Sequence, residues 1–195
     1  MVIGLTGGFG TGKTFVASIF RSMGAKVLDA DKIAHEVIRK GTPEYRRIVK
    51  LFGRTILTGK AEIDRKKLGK VVFSDAGLLR KLSVIVHPKV IKKIKRSVEN
   101  ARKDEIVVID APLLIEANLN RLVDKLVVVK CSKRRQIERC QEKSCMQKKE
   151  ISRVIKSQMP LKRKTAMADI VIDNSRTKAH TKEQVRKVWE EKLWK

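Results

Sequence analysis

Aromatic side chains make up only 4 % of this 195-residue chain, too few for a stacking platform on single-stranded nucleic acid, where aromatic faces carry much of the affinity. Long apolar runs are absent as well. Nothing approaches the roughly 18 consecutive apolar residues of a membrane span. The N-terminus has no basic segment, and Val2 to Leu5 is too short for the apolar core of a signal peptide, so a cytoplasmic location is expected. Cysteine is sparse: Cys131, Cys140 and Cys145 are odd in number and have no C-x-x-C pair or neighbouring histidine. That pattern argues against a disulfide framework and a zinc centre and leaves small buried hydrophobes or surface thiols. Acidic residues are also short, 21 against 46 lysines and arginines, a net charge of +25. Such a field attracts polyanions without choosing among them.

What is present is a core-forming composition, 42 % hydrophobic. A chain of this length can bury about 70 % of its unfolded surface in one domain. Near its start, the apolar run Val2, Ile3 and Leu5 breaks into Gly7-Gly8-Phe9-Gly10-Thr11-Gly12-Lys13-Thr14, which matches G-x-x-x-x-G-K-[ST] at every fixed position. Glycines allow positive φ and a close approach to a polyphosphate, so successive N–H groups can converge on an anion. The helix expected from about Lys13 to Arg21 adds roughly half an elementary charge at its N-terminus. Lys13 suits the β- and γ-phosphates of ATP or GTP, and the Thr14 hydroxyl suits an accompanying magnesium ion.

Further along, Lys26 to Leu28 reads as a strand ending in Asp29-Ala30-Asp31, followed by an amphipathic stretch to about Lys40. The two aspartates alternate in a strand-like segment and should point to opposite sides. Asp31 is the better chemical candidate, with a cap on the next helix as the alternative reading, chiefly for Asp29. Thr42 and Pro43 suit an N-cap and first helical position, with a helix from Glu44 to Phe52. Apolar spacing predicts helices from Ile63 to about Phe73 and from Asp75 to about Arg102, the latter bent or restarted at His87-Pro88. No strand pattern occurs between Gly41 and Glu105, which suggests a helical insertion beside a sheet. Ile106 to Asp110 reads as a buried central strand. Asp110 sits in the position of a Walker-B-like acid, with a helix cap or loop aspartate as the alternative. Pro112 to Glu116 reads as a loop in which Glu116 has no assignable partner.

Lys125 to Cys131 is a further strand. Residues Lys130 to Lys164 then carry thirteen basic against three acidic residues on two helical patterns split near Ser144 to Gln147. This is the make-up of a lid that folds arginines over phosphates, although most of its lysines suit a solvated face. Asp169 to Asp173 gives a last strand, and Thr181-Lys182-Glu183-Gln184 fits a capping box for a terminal helix through Trp194. The alternation predicts an α/β fold of the P-loop NTPase type: a mainly parallel sheet flanked by helices, with a helical insertion and a helical lid.

Several stretches together resemble the dephospho-coenzyme A kinase family nearly from end to end. They are Gly4-Leu5-Thr6-Gly7-Gly8, Asp29-Ala30-Asp31, Asp64-Arg65, His87-Pro88, Asp110 with Pro112-Leu113-Leu114 and Glu116, Gln136 to Arg139, Gln158-Met159-Pro160, and Ala168-Asp169 with Ile172-Asp173-Asn174. The resemblance implies transfer of the ATP γ-phosphate to the 3′-hydroxyl of dephospho-coenzyme A, with magnesium held by Thr14 and Asp110. It implies a nucleotide-binding core (1–40, 104–131, 168–195), a helical substrate subdomain (41–103) and a lid (132–167). Asp31, Lys13 and Arg139 would be catalytic. Gly8, Gly10, Thr11, Gly12, Lys13, Thr14, Phe15 and Asn174 would contact ATP, Asn174 near the adenine. Thr6, Asp31, Arg65, His87, Leu113 and Glu116 would contact the acceptor. A monomer with no membrane and no obligatory nucleic acid is expected.

Two positions depart from the family pattern. Phe15 stands where a second hydroxyl residue is usual. Lys143 replaces a second lid arginine, keeping the charge and losing bidentate geometry. A GTPase is disfavoured because the chain has no N-K-x-D motif. A kinase for another small molecule and a basic nucleic-acid-binding ATPase remain as alternatives.

Overall fold

The computed structural model describes residues 1–143 and 147–192, without the side chains of Phe73, Lys143, Glu191 and Lys192. Cys145, the split at Ser144, the Lys143 side chain and the expected helix end at Trp194 lie outside the described residues. In chain order the elements are β1 (Val2–Gly7), α1 (Lys13–Ser22), β2 (Lys26–Asp29), α2 (Ala30–Val37), α3 (Pro43–Phe52), α4 (Arg65–Ser74), α5 (Ala76–Glu99), β3 (Val107–Asp110), β4 (Lys125–Lys130), α6 (Lys133–Lys143), α7 (Lys148–Ser157), α8 (Leu161–Ala166), β5 (Ile170–Asp173) and α9 (Lys178–Lys192). They form two compact units, Met1–Leu28 with Asn100–Lys195, and Asp29–Glu99.

The first unit is built on a five-stranded sheet of order β2-β3-β1-β4-β5. Strand β1 lies parallel to β3, with Leu5 beside Asp110, and parallel to β4, with Gly7 beside Val129. Strand β5 is parallel to β4, with Asp173 beside Lys130. This register brings the ends of β1, β3, β4 and β5 to one edge, where ligands bind in open α/β sheets. Strand β3 is buried along its whole length, as its unbroken branched sequence requires. Helix α1 packs on the sheet through Val16, Ala17, Ile19 and Phe20, whose three- and four-residue spacing gives one apolar face. Phe20 meets Trp189 of α9 with ring centroids 6.4 Å apart. Among the described residues, no helix is long and apolar enough to cross a membrane.

The second unit is helical, with a core that includes Ile48, Ile56, Leu68, Val72 and Ile85. Its caps follow the sequence. Thr42 accepts from the Tyr45 amide at 3.1 Å ahead of Pro43, and Asp64 accepts from the amides of Lys66 and Lys67. Three expectations need correction. Strand β2 ends at Asp29, which caps α2 by accepting from the Lys32 amide, so Asp29 and Asp31 do not alternate along a strand. Asp31 instead lies in the first turn of α2, where a carboxylate complements the helix dipole. Helix α2 also stops at Val37, short of Lys40, and belongs with the helical unit, in which Glu36 pairs with Lys93 of α5 at 2.9 Å. Finally, α5 runs through Pro88 as one helix. The acceptor deprived by proline's missing N–H is the carbonyl of Val84, a residue 62 % exposed, so water can serve it.

In the first unit the proposed capping box is also corrected. Helix α9 begins at Lys178, three residues before Thr181. The Thr177 hydroxyl accepts from the His180 amide at 3.2 Å. Thr181 is fully buried and turns inward, and Gln184 bonds to both the N–H and the carbonyl of Asp173.

Candidate active site

The segment between β1 and α1 is held by its glycines and by what surrounds them. Gly10 and Gly12 adopt φ of +76° and +86°. A Cβ on Gly10 would lie 2.6 Å from Cys140 Sγ and 2.7 Å from the Gln136 carbonyl, and one on Gly12 would lie 2.1 Å from Asn174 Nδ2. No other residue fits either position without displacement. The Thr11 hydroxyl, fully buried, donates to the Gly8 carbonyl at 2.8 Å and closes the loop on itself.

Around this loop the structure gathers residues distant in sequence. Lys13, at the start of α1, pairs with Asp110 at the end of β3, both largely buried. Thr14 is exposed in the first turn of α1. Arg139 of α6 donates to the carbonyls of Thr11 at 3.2 Å and Asn174 at 2.9 Å. Asn174 is buried behind the loop, where its Nδ2 donates to the Thr11 carbonyl at 2.8 Å and its Oδ1 accepts from the Thr181 hydroxyl. Phe15 packs against the sheet core. Helix α6, the start of the expected lid, therefore lies directly on the loop through Gln136, Arg139 and Cys140. Cys131 and Cys140 are buried, and burial raises the Cys131 thiol above its ordinary pKa, which suits a packing role better than a nucleophilic one.

Of the residues expected to meet an acceptor, three belong to this unit. Thr6 is fully buried and donates to the Pro112 carbonyl at 3.0 Å, while Leu113 is exposed beside it. Glu116 has partners that sequence could not supply: the Met159 amide at 3.0 Å and Lys164 Nζ at 2.9 Å. In the helical unit, Arg65 begins α4 and lines a cleft of about 200 Å³ with His35, Ile38, Arg39, Lys40, Glu62 and Ile63. The His35 imidazole is held below its ordinary pKa by burial and by Arg65, against the opposing charges of Asp31 and Asp29. His87 is lowered by burial. The cleft thus collects three permanent cations against one carboxylate, a setting for an anionic ligand.

Residues that sequence reasoning left without a role include Gln158, whose Oε1 accepts the Phe9 amide at 2.9 Å, and Lys164, fully buried. Lys164 was indistinguishable among thirteen basic residues. The Q-M-P stretch was visible, but nothing local told that its glutamine reaches the loop.

Chemically, the first unit presents oriented amides, a lysine, a guanidinium, a hydroxyl and a carboxylate at the edge of a parallel sheet. These are the parts needed to hold and polarise a nucleoside triphosphate. Residues 1–180 match the family model described as dephospho-CoA kinase. The chain is 44 % identical over 192 residues to the dephospho-CoA kinase of Aquifex aeolicus, covering 97 % of this chain and 96 % of that one. It is 38 % identical to the Carboxydothermus hydrogenoformans dephospho-CoA kinase, covering 100 % and 95 %. Among solved structures, the dephospho-CoA kinase from Campylobacter jejuni superposes with a TM-score of 0.72 at 26 % identity, over 97 % of this chain and 96 % of that one.

Proposed function

The chain belongs to the dephospho-CoA kinase family, and from that premise we propose how its own residues share the work. The enzyme phosphorylates dephospho-CoA with ATP, the final step of coenzyme A synthesis, and the acceptor is the ribose 3′-hydroxyl. A nucleic-acid-binding ATPase is not favoured against a family match of this length. The observation that carries the assignment of roles is the loop itself, fixed by glycines at positive φ, with Lys13 and Asp110 paired beside it.

Backbone amides of the loop and the N-terminus of α1 hold the triphosphate. Lys13, released from Asp110, moves to the β- and γ-phosphates, and Arg139 stabilises charge on the transferring group. Asp31, in the first turn of α2, accepts the proton of the 3′-hydroxyl or orients it for in-line attack. Arg65 and His87, with Leu113, recognise the acceptor. Gly8, Gly10, Thr11 and Gly12 shape the phosphate cradle; Phe15 and Asn174 support it from the core side. Residues 132–167 act as the lid.

Thr14 and Asp110 offer hard oxygen donors suited to Mg²⁺, which commonly takes one or two protein ligands beside substrate phosphates and water. Bound there, the ion would offset negative charge on the phosphates. The working species is a cytoplasmic monomer.

Purified protein with ATP, Mg²⁺ and dephospho-CoA should yield CoA and ADP, and across a panel of nucleoside acceptors dephospho-CoA should be preferred. Lys13→Ala and Asp31→Asn should each cut turnover at least about a hundredfold while the fold persists. Absence of CoA with the unaltered protein overturns the reading.

A further inference from the structure

A fully buried lysine is rare, and Lys164 is one, at 0 % exposure. Its Nζ donates to the Pro112 carbonyl at 2.6 Å and meets Glu116 at 2.9 Å on Oε1 and 3.2 Å on Oε2. The ammonium thus has two hydrogen bonds and a carboxylate held as its counter-charge, which offset the cost of burying it. Each partner leads on to the phosphate loop. The Pro112 carbonyl also accepts from Thr6, the residue just before Gly7. Glu116 also accepts the Met159 amide, which fixes the turn after α7, and the preceding residue, Gln158, takes the Phe9 amide inside the loop.

We propose that Lys164 is a positioning residue for ATP binding, acting through Glu116 and Gln158 to fix the Phe9 peptide of the phosphate loop and through Pro112 to fix the strand end that leads into it. The ammonium never touches nucleotide. It gathers the β3 loop and the α7–α8 turn around one buried charge, and the turn in its fixed place presents the Gln158 oxygen to Phe9. Removing that acceptor frees the peptide plane to rotate, so the loop must be ordered again whenever ATP binds. The inference rests on the reading that this loop holds the ATP of a dephospho-CoA kinase.

The test is steady-state kinetics in both substrates, with thermal unfolding as the check on folding. Gln158→Met removes the acceptor at near-constant volume and should raise KM for ATP about fivefold, as for one lost hydrogen bond, with KM for dephospho-CoA unchanged. Lys164→Met should raise the same KM. Glu116→Gln retains shape and weakens the ion pair, and so carries the test if Lys164→Met does not fold. The decisive result is the double variant Glu116→Gln/Gln158→Met, whose KM for ATP should be no higher than that of Gln158→Met alone because both changes act through one peptide. Additive effects, an effect confined to melting temperature, or a rise in KM for dephospho-CoA instead in Gln158→Met or Lys164→Met would each overturn the proposal. Failure of the unaltered enzyme to make CoA would instead overturn the functional reading beneath it.

Discussion

Gly10→Ala tests whether the loop's shape is dictated by its surroundings. At φ of +76° an alanine stands in a region that costs an L-residue about 1 to 2 kcal/mol. Its Cβ would also lie 2.6 Å from Cys140 Sγ and 2.7 Å from the Gln136 carbonyl, an overpacking that typically adds about 1 to 3 kcal/mol. The sum, about 2 to 5 kcal/mol, corresponds in a chain of this size to a melting temperature lowered by about 4 to 20 °C. The two obstacles differ in kind. The cysteine is a side chain and can be trimmed, whereas the carbonyl belongs to the backbone of α6. Measured by chemical denaturation in a Cys140→Ala background, Gly10→Ala should therefore still cost at least about 2 kcal/mol. A neutral substitution in that background would show that the α6 backbone is no wall to a side chain at position 10.

Three other outcomes are expected. Asp29→Ala removes the N-cap of α2 and should cost about 1 kcal/mol in a denaturant titration, with Asn at the same position retaining most of it; an unchanged midpoint for Asp29→Ala would show that the cap contributes nothing. Thr181→Val leaves the buried Asn174 Oδ1 without its donor and should cost about 1 to 3 kcal/mol, whereas Thr181→Ser should remain near the wild type; equal stabilities for the two would contradict the bond. Burial holds His87 below its ordinary value of 6.5, so the unfolded chain binds more protons, and this contribution is complete above the unfolded value and is lost as pH falls through the folded one. His35 has the same sign, and the wild type should lose stability as pH falls below about 6.5, with His87→Gln losing less; identical pH slopes would refute it.

The strands and most helices could be read in advance because their signals are local. Branched runs mark β3 and β4, a threonine and proline mark the start of α3, and the loop motif is contiguous. What escaped reading was settled by contacts across the fold. Asp29 is open in the sequence to two readings, strand end or helix cap, and the bond from the Lys32 amide decides for the cap, which takes Asp31 into the first turn of α2. Thr181 satisfied a capping pattern, yet Asn174 claims its hydroxyl inside the core. Pro88 signals a bend or a restart, and the helix does not restart there because the affected turn faces water. In the site, Lys13, Thr14 and Asp110 are legible as types at known spacings, whereas Lys164 acts through partners 48 and 52 residues away and Gln158 through one 149 residues away.

The Thr11 carbonyl receives two donors, one from Asn174 and one from Arg139. In a trans peptide the following N–H points the opposite way, so these bonds also orient the Gly12 amide. A rotation of that plane would break both bonds and turn an oxygen toward the phosphate site, converting an anion receptor into one for cations. Two remote side chains thus set the polarity of the cradle when the chain folds, and the triphosphate meets a dipole already aligned.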